Sequence, residues 1–551
     1  MRKRVVTDGV TINAIAGTNV VTLGLDLTDA ARPGCLGFAI QREDHTEDEK
    51  YWMTGMKTFK ATNPGLGGQA SSRQHPFQTF QWADYSAKPD HDYTYTAIPL
   101  SGTPDHLIEG PHASARLTTE SELGDTHSTF FNRGSAASQE YARRFLNKDP
   151  EEWGDDAFRW LSRGLLEAFQ AFLARANGPS FGLFAAIYEF QWPAALQAFK
   201  AAAATGADVH VVYDGIPGGP VTKNEAAIAA EGIGSFCRAR TTGKIMHNKF
   251  VVLTKNGAPI SVWTGSTNLT EVGIYGHSNC GHIVEDAAMA QAYLDYWNEL
   301  KDNPTSDTER TWMKTHNPSP ADPLNADLLE IFSPRSGLKV LDWQASVAAR
   351  AKNPGQALFM SFAFGMDERF QHVYEQPDGV LRFALMEKEG NGAGLAQGKI
   401  DIARIRRLPN VVVAIGHNIE TNSFDRWLAE RRKLTNEQQV LWIHTKYMLV
   451  DPLGPEPIVL TGSANFSEAS VNTNNENVVV VRGNTRVADI YLGEFMRIYS
   501  HNAFREAVFI AKTNNEPDFH PQDLVPDDTW QKDYFTPGHQ RLLRRQYFAG
   551  A

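Results

Sequence analysis

Cysteine is scarce: Cys35, Cys237 and Cys280 are the only three in 551 residues. They are too few and too scattered for a disulfide framework or a four-cysteine zinc site. Long apolar runs are missing too. The most apolar stretch, Phe181 to Phe190, is soon broken by Trp192-Pro193 and Lys200 and is too short to span a bilayer. Basic residues open the sequence at Arg2-Lys3-Arg4, but no apolar run of leader length follows. The expectation is a cytoplasmic chain made in a reducing compartment, with export by a route that needs no cleaved leader left open. Positive charge is also short: Lys and Arg number 53 against 64 Asp and Glu, a net charge of -11. That excludes a generally basic nucleic-acid coat, although a local basic groove is compatible with an acidic whole.

What is present is ordinary globular material, 42% hydrophobic and 21% charged. At about 150 residues per domain the length suggests three or four domains. Residues 1–145 read as an all-β sandwich. Short alternating runs (Val10 to Leu25, Leu36 to Gln41, Phe77 to Trp82, Tyr93 to Leu100) are separated by turns such as Asn63-Pro64-Gly65. Pro89-Asp90-His91-Asp92-Tyr93-Thr94-Tyr95 resembles the tyrosine-corner region of fibronectin type III-like domains. From about residue 150, helix-periodic and strand-like segments alternate, and the same order returns after residue 325. The expected units are 150–310 and 325–510. Between them lies a linker rich in Asn, Pro, Ser, Thr and Asp, and after them comes an ordered strap over 511–551.

An internal repeat carries the chemistry. The first copy reads His247-Asn248-Lys249, then Gly265-Ser266-Thr267-Asn268. The second reads His444-Thr445-Lys446, then Gly462-Ser463-Ala464-Asn465. The interval from His to Gly is the same in both copies, since 265 − 247 equals 462 − 444. An apolar run follows each lysine, so each His and Lys should share one face of a strand, with Gly-Ser at the end of its neighbour. At the eleventh position beyond the motif asparagines stand Asn279 and Glu476.

These residues resemble the paired HxK(x4)D…GSxN motif of the phospholipase D superfamily, over residues 150 to 510. The resemblance implies an α/β fold: a pseudo-twofold pair of α/β/α sandwich halves sharing one site, here preceded by the β-sandwich. It also implies metal-independent phosphodiester cleavage through a covalent phosphohistidine, with no cofactor. The residue types suit that chemistry. Lys249, Lys446, Asn268, Asn465, Ser266 and Ser463 offer six donors to a phosphate, while one neutral imidazole attacks and a protonated one serves the leaving oxygen. Asp451 holds the acidic position of the second copy as a supporting residue; its counterpart in the first copy is Thr254.

The side chain at the eleventh position resembles an orienter of the catalytic imidazole. With Glu476 behind His444 and Asn279 behind His247, His444 would be the acid and His247 the nucleophile. Arg238, Arg240 and Lys244 precede the first motif and Arg431, Arg432 and Lys433 the second; they read as solvated faces or as attractors of an anion. His277, Cys280 and His282 fit no zinc pattern, and Arg133 reads as a phosphate or interdomain contact. A phospholipid diester leads as substrate, by hydrolysis or transphosphatidylation and with peripheral membrane contact. Cleavage of DNA or RNA by the same site is the alternative, and a non-catalytic binding protein with a degenerate first repeat is the third. Both halves in one chain point to a monomer.

Overall fold

The computed structural model describes residues 1–60, 69–390, 392–416, 425–426, 428–429, 442–514, 520 and 523–550. Two seven-stranded sheets dominate it. In spatial order the first runs His127–Phe131, Cys280–Val284, Ala258–Gly265, Lys249–Lys255, Phe181–Ile187, Asp208–Asp214, Cys237–Arg240. The second runs Leu328–Ser333, Glu476–Arg482, Ile458–Gly462, Tyr447–Val450, Ala357–Phe362, Leu381–Met386, Val411–Ile415. The first four neighbour pairs of each sheet are antiparallel and the last two parallel. The two orders correspond strand for strand, which is the pseudo-twofold arrangement of α/β halves expected from the repeat. The central strands are continuous apolar runs because helices cover their faces.

Helix Ala287–Lys301 in the first half and Thr485–Thr513 in the second follow equivalent strands. The first is capped by Asp286, which accepts the Met289 amide at 2.7 Å, and the second by Asn484, which accepts that of Val487 at 3.0 Å. Among the described residues no helix is long and apolar enough to cross a membrane.

The N-terminal β domain packs Arg2–Thr7, Val10–Ala16, Val21–Leu27 and Gln81–Asp84 against a second sheet built on Gly37–Asp44, Asp92–Thr103 and Ala113–Thr118. Ile12, Leu23, Leu25, Phe38, Ile40, Tyr93 and Tyr95 fill the space between. The Tyr93 hydroxyl accepts the Lys88 amide at 3.1 Å, a bond of the tyrosine-corner kind. His127–Phe131, inside the 1–145 segment, is an edge strand of the first seven-stranded sheet and not of the sandwich. The linker carries a helix, Ser306–His316.

Beyond residue 523, Trp530 stacks on Phe80 and donates its indole N–H to the Cys35 carbonyl. Helix Gln540–Ala549 then wedges Phe548 against Phe359 of the second half. It passes so close to the sandwich that a Cβ on Gly24 would lie 1.9 Å from the Phe548 carbonyl oxygen.

Candidate active site

The strands Ala258–Gly265 and Ile458–Gly462 each end on the glycine of a Gly-Ser pair. Gly265 and Gly462 have φ of +144° and +149°, and a Cβ on either would sit 2.3 Å from a carbonyl oxygen, of Cys280 or Asn477. Glycine is therefore required at both places, and the turn it allows delivers the following serine and asparagine to the sheet edge.

The halves meet through two short parallel bridges, Met246 with Asn475 and Ser278 with Ile443. The His247 amide donates to the Asn475 carbonyl at 2.9 Å, and the His444 amide to that of Ser278 at 3.2 Å. Each histidine thus runs beside the segment that leads to the other half's eleventh-position residue. His247 and His444 face one another with ring centroids 6.4 Å apart and planes at 76°. The strands proper begin at Lys249 and Tyr447, so both histidines lie in the extended segments just before them.

The expected orienters are exchanged between halves. His247 Nδ1 donates to Glu476 Oε2 at 2.8 Å, and His444 Nδ1 donates to Asn279 Oδ1 at 2.8 Å. The Asn279 amide nitrogen is committed to the Gly273 carbonyl, which leaves its oxygen as the acceptor. With both Nδ1 atoms committed, Nε2 is the remaining ring nitrogen of each histidine. The reason is the backbone: the bridges lay Asn475-Glu476 alongside Met246-His247.

The serines also differ from expectation. Ser266 donates to Asn279 Oδ1 at 2.8 Å and Ser463 to Glu476 Oε2 at 2.7 Å, and both side chains are fully buried. Their hydroxyls hold the orienters and are not presented to a phosphate. Four donors remain: Lys249, Lys446, Asn268 and Asn465. Lys249 Nζ donates to the His247 carbonyl at 2.6 Å and Lys446 Nζ to that of His444 at 2.5 Å, so each motif's cation folds back beside its own imidazole.

Burial sets the electrostatics. It pushes the His247 imidazole down to about 4 against the upward pull of Glu476, and His444, with Lys446, His277 and Lys249 around it, well below its ordinary value. Lys249 falls to about 8 despite Glu476, Glu189 and Asp214, and Lys446 falls well below the usual lysine range through burial and the charge of Lys249. Burial alone would raise the Glu476 carboxyl; the charge and hydrogen bond of His247, then Lys249, bring it below the ordinary value.

Two supporting carboxylates escape motif reading. Asp214 accepts the Met246 amide at 2.8 Å, and Glu387 accepts the Ile443 amide at 2.9 Å. Each pins the residue just before a histidine, and the two stand at equivalent places, Asp214 as the last residue of Asp208–Asp214 and Glu387 directly after Leu381–Met386. The connection from Glu387 to His444 is longer than that from Asp214 to His247. The two copies therefore lack the constant interval that would have revealed these carboxylates.

The other sequence candidates lie elsewhere. Asp451 is at the far end of its strand, where Gln356 donates to it at 3.2 Å, and Thr254 occupies the matching end of the first copy. Arg240 is not a solvated base: it pairs with Glu309 of the linker helix, both fully buried. Arg238 donates to the Lys301 carbonyl and Lys244 is exposed. Arg431, Arg432 and Lys433 fall outside the described residues. Arg133 donates to the Trp160 carbonyl and lies over that ring, an interelement contact. His282 bonds His127 and Tyr491, while His277 lies 5.7 Å from His444, ring to ring.

The sequence model of one family, described as "Cardiolipin synthase, PLD-like domain", matches residues 181–301 and 414–499, one segment in each half. Both halves carry a match to the PLD-like domain.

Among solved structures, phosphatidylserine synthase from Haemophilus influenzae Rd KW20 matches at 11% identity over 62% of this chain and 85% of its own, with a TM-score of 0.43. Nuc, a phospholipase D family member from Salmonella typhimurium, matches at 22% identity over 24% of this chain and 86% of its own, with a TM-score of 0.22. Polyphosphate kinase from Porphyromonas gingivalis matches at 13% identity and a TM-score of 0.35 over 59% of this chain; the match spans 46% of that kinase. No curated protein matches the chain.

Proposed function

We propose that this chain is a metal-independent phosphodiesterase of the phospholipase D superfamily that works through a phosphohistidine at His247. The observation that carries the reading is the facing pair of imidazoles, each fixed through Nδ1 and each flanked by its own lysine. His247 Nε2 attacks phosphorus, the bond to the leaving oxygen breaks, and His444 Nε2–H gives that oxygen its proton. His444 then takes a proton from water, whose oxygen attacks phosphorus and breaks the P–N bond.

Role assignment follows the orienters as found. Phosphorylation makes the His247 ring cationic, and the Glu476 carboxylate stabilises that cation as it forms. The ring still starts neutral, because burial outweighs the carboxylate. An imidazolium at His444 has only an amide behind it and is the stronger acid. The lysines and asparagines supply the charge stabilisation that a Lewis acid supplies elsewhere.

For substrate we infer a phospholipid diester. The net charge of -11 and the internal pairing of Arg240 weigh against a basic nucleic-acid track, and the matching family's description names a lipid synthase. Purified protein assayed in EDTA on phosphatidylglycerol vesicles, a bis-aryl phosphodiester, and single- and double-stranded DNA tests both parts. Turnover of the vesicles and the bis-aryl ester is expected. Turnover of DNA in preference to lipid would replace the substrate, and complete inactivity restored by a divalent ion would overturn the chemistry. Phosphate mapped by mass spectrometry to residue 444 would reverse the two histidines.

A further inference from the structure

The two halves differ at one site position outside the motif. Strand Phe181–Ile187 pairs with Lys249–Lys255 so that Ile187 faces Lys249. In the second half Met360 faces Met448, and continuing that ladder by two residues sets Phe362 opposite Lys446. Glu189, two residues beyond Ile187, therefore corresponds to Phe364. The first half carries a carboxylate where the second carries an aromatic ring.

Glu189 is 8% exposed, and the side-chain nitrogen of Asn268 donates to it at short range. That bond takes one amide hydrogen and leaves the second for a phosphate oxygen. The Glu189 carbonyl also accepts the Leu269 amide at 3.1 Å, so backbone and side chain together lock the segment that carries Asn268. Resting on the phosphodiesterase reading, we propose that Glu189 is a positioning residue for the reaction: it aims the Asn268 amide at the phosphate and holds the Lys249 ammonium beside it. The chemistry it serves is a diester anion bound at the first half's lysine and asparagine.

The charges facing Lys249 are Glu476, Glu189 and Asp214 on the stabilising side and Lys446, His247 and His444 on the other. Removing one of three carboxylates lowers the lysine from about 8. A fall of about one unit takes its charged fraction at pH 8 from about half to about a tenth, a loss of about fivefold in anion affinity. A carboxylate that merely filled space would leave the pH dependence where it was.

The probe is tungstate at micromolar concentration, dilute enough to stay a monomeric dianion from pH 6 to 10, bound to the full-length protein and followed by equilibrium dialysis. The same pH range is then run for kcat/KM on a bis-aryl diester. Glu189→Gln should move the alkaline limb of both curves down by about one unit and weaken tungstate about fivefold at pH 8. Glu189→Asp, which keeps the charge but shortens the reach to Asn268, should keep the limb in place while lowering kcat. An unmoved alkaline limb in Glu189→Gln would overturn the proposal, as would an Asp variant whose limb moves as far as that of Gln. Wild-type protein that neither binds tungstate nor turns over the ester would instead sink the phosphodiesterase reading, a distinguishable failure.

Discussion

The two α/β halves share a frame but not the side chains behind their histidines. Seven strands correspond in order and direction, the same strained glycine ends the same strand, and a carboxylate pins the residue before each histidine. Over that frame the paired positions diverge: Glu476 against Asn279, Glu189 against Phe364, Asn477 against Cys280. Groups that need only be in the right place are duplicated. Groups that decide where charge rests are not. A twofold site offers two equivalent imidazoles, yet cleavage needs one that becomes cationic by bonding phosphorus and one that gives a proton away.

The largest effect should come from breaking that asymmetry at the orienters. Glu476→Gln removes the carboxylate behind the proposed nucleophile, and kcat should fall about 10³-fold. Asn279→Ala removes one neutral hydrogen bond behind His444, and kcat should fall about tenfold. Stopped-flow release of the aryl alcohol measures both. Equal losses would mean that the orienters do not distinguish the histidines.

Where the frame is symmetric, the halves should respond alike. Gly265→Ala and Gly462→Ala each force a Cβ against a carbonyl at a φ hostile to side chains, and each should cost about 3 kcal/mol or more. Urea melts of the two variants should shift by similar amounts. A strongly unequal pair would show that one half tolerates rebuilding of its turn.

Titration sharpens the comparison more gently. With a bis-aryl diester, whose leaving group needs no proton, kcat/KM should fall below about pH 4, as His247 gains a proton and loses its nucleophilic lone pair. It should fall above about pH 8, as Lys249 loses its charge. With an unactivated diester the alkaline limb should lie lower, because His444 must hold a proton and burial depresses it. Identical alkaline limbs for the two esters would remove His444 as the acid.

Much of this was legible in the sequence, for a physical reason. The equal His-to-Gly interval of the two copies spans one hairpin of fixed register, so the motif positions follow from strand geometry. The orienters were legible as residues but not as partners. The interval from His247 to Asn279 equals that from His444 to Glu476, and equal spacing within each half cannot tell a bond inside it from a bond across the dyad. Only the Met246–Asn475 and Ser278–Ile443 bridges decide. Ser266 and Ser463 read as phosphate ligands because the motif groups them with the lysines and asparagines as donors; in the fold their hydroxyls donate to Asn279 and Glu476. Arg240 read as a surface base because its partner, Glu309, comes from a helix inside a stretch whose composition looked like linker.

The smallest effect belongs to the motif's own acidic residue. Asp451 is five residues past Lys446 along an extended chain, roughly 17 Å at 3.3 Å per residue, and it has left the strand at φ +44°. Its amide donates to the Ala357 carbonyl at 2.7 Å, and its carboxylate accepts Gln356 at 3.2 Å, a turn-fixing pair on the side of the sheet away from the histidines. Thr254, next to last in the first copy's strand, makes a weaker contact, 3.5 Å to the Gly182 carbonyl, and its half keeps His247, Lys249, Ser266 and Asn268 in place. Asp451→Asn preserves the shape and the Gln356 contact, so kcat/KM should stay within about twofold and stability within about 1 kcal/mol. Thr254→Asp should likewise leave turnover near wild type. A hundredfold loss in Asp451→Asn with an unchanged urea midpoint would show that the far end of the strand governs the chemistry, and would make its replacement by threonine in the first half a functional difference between the halves.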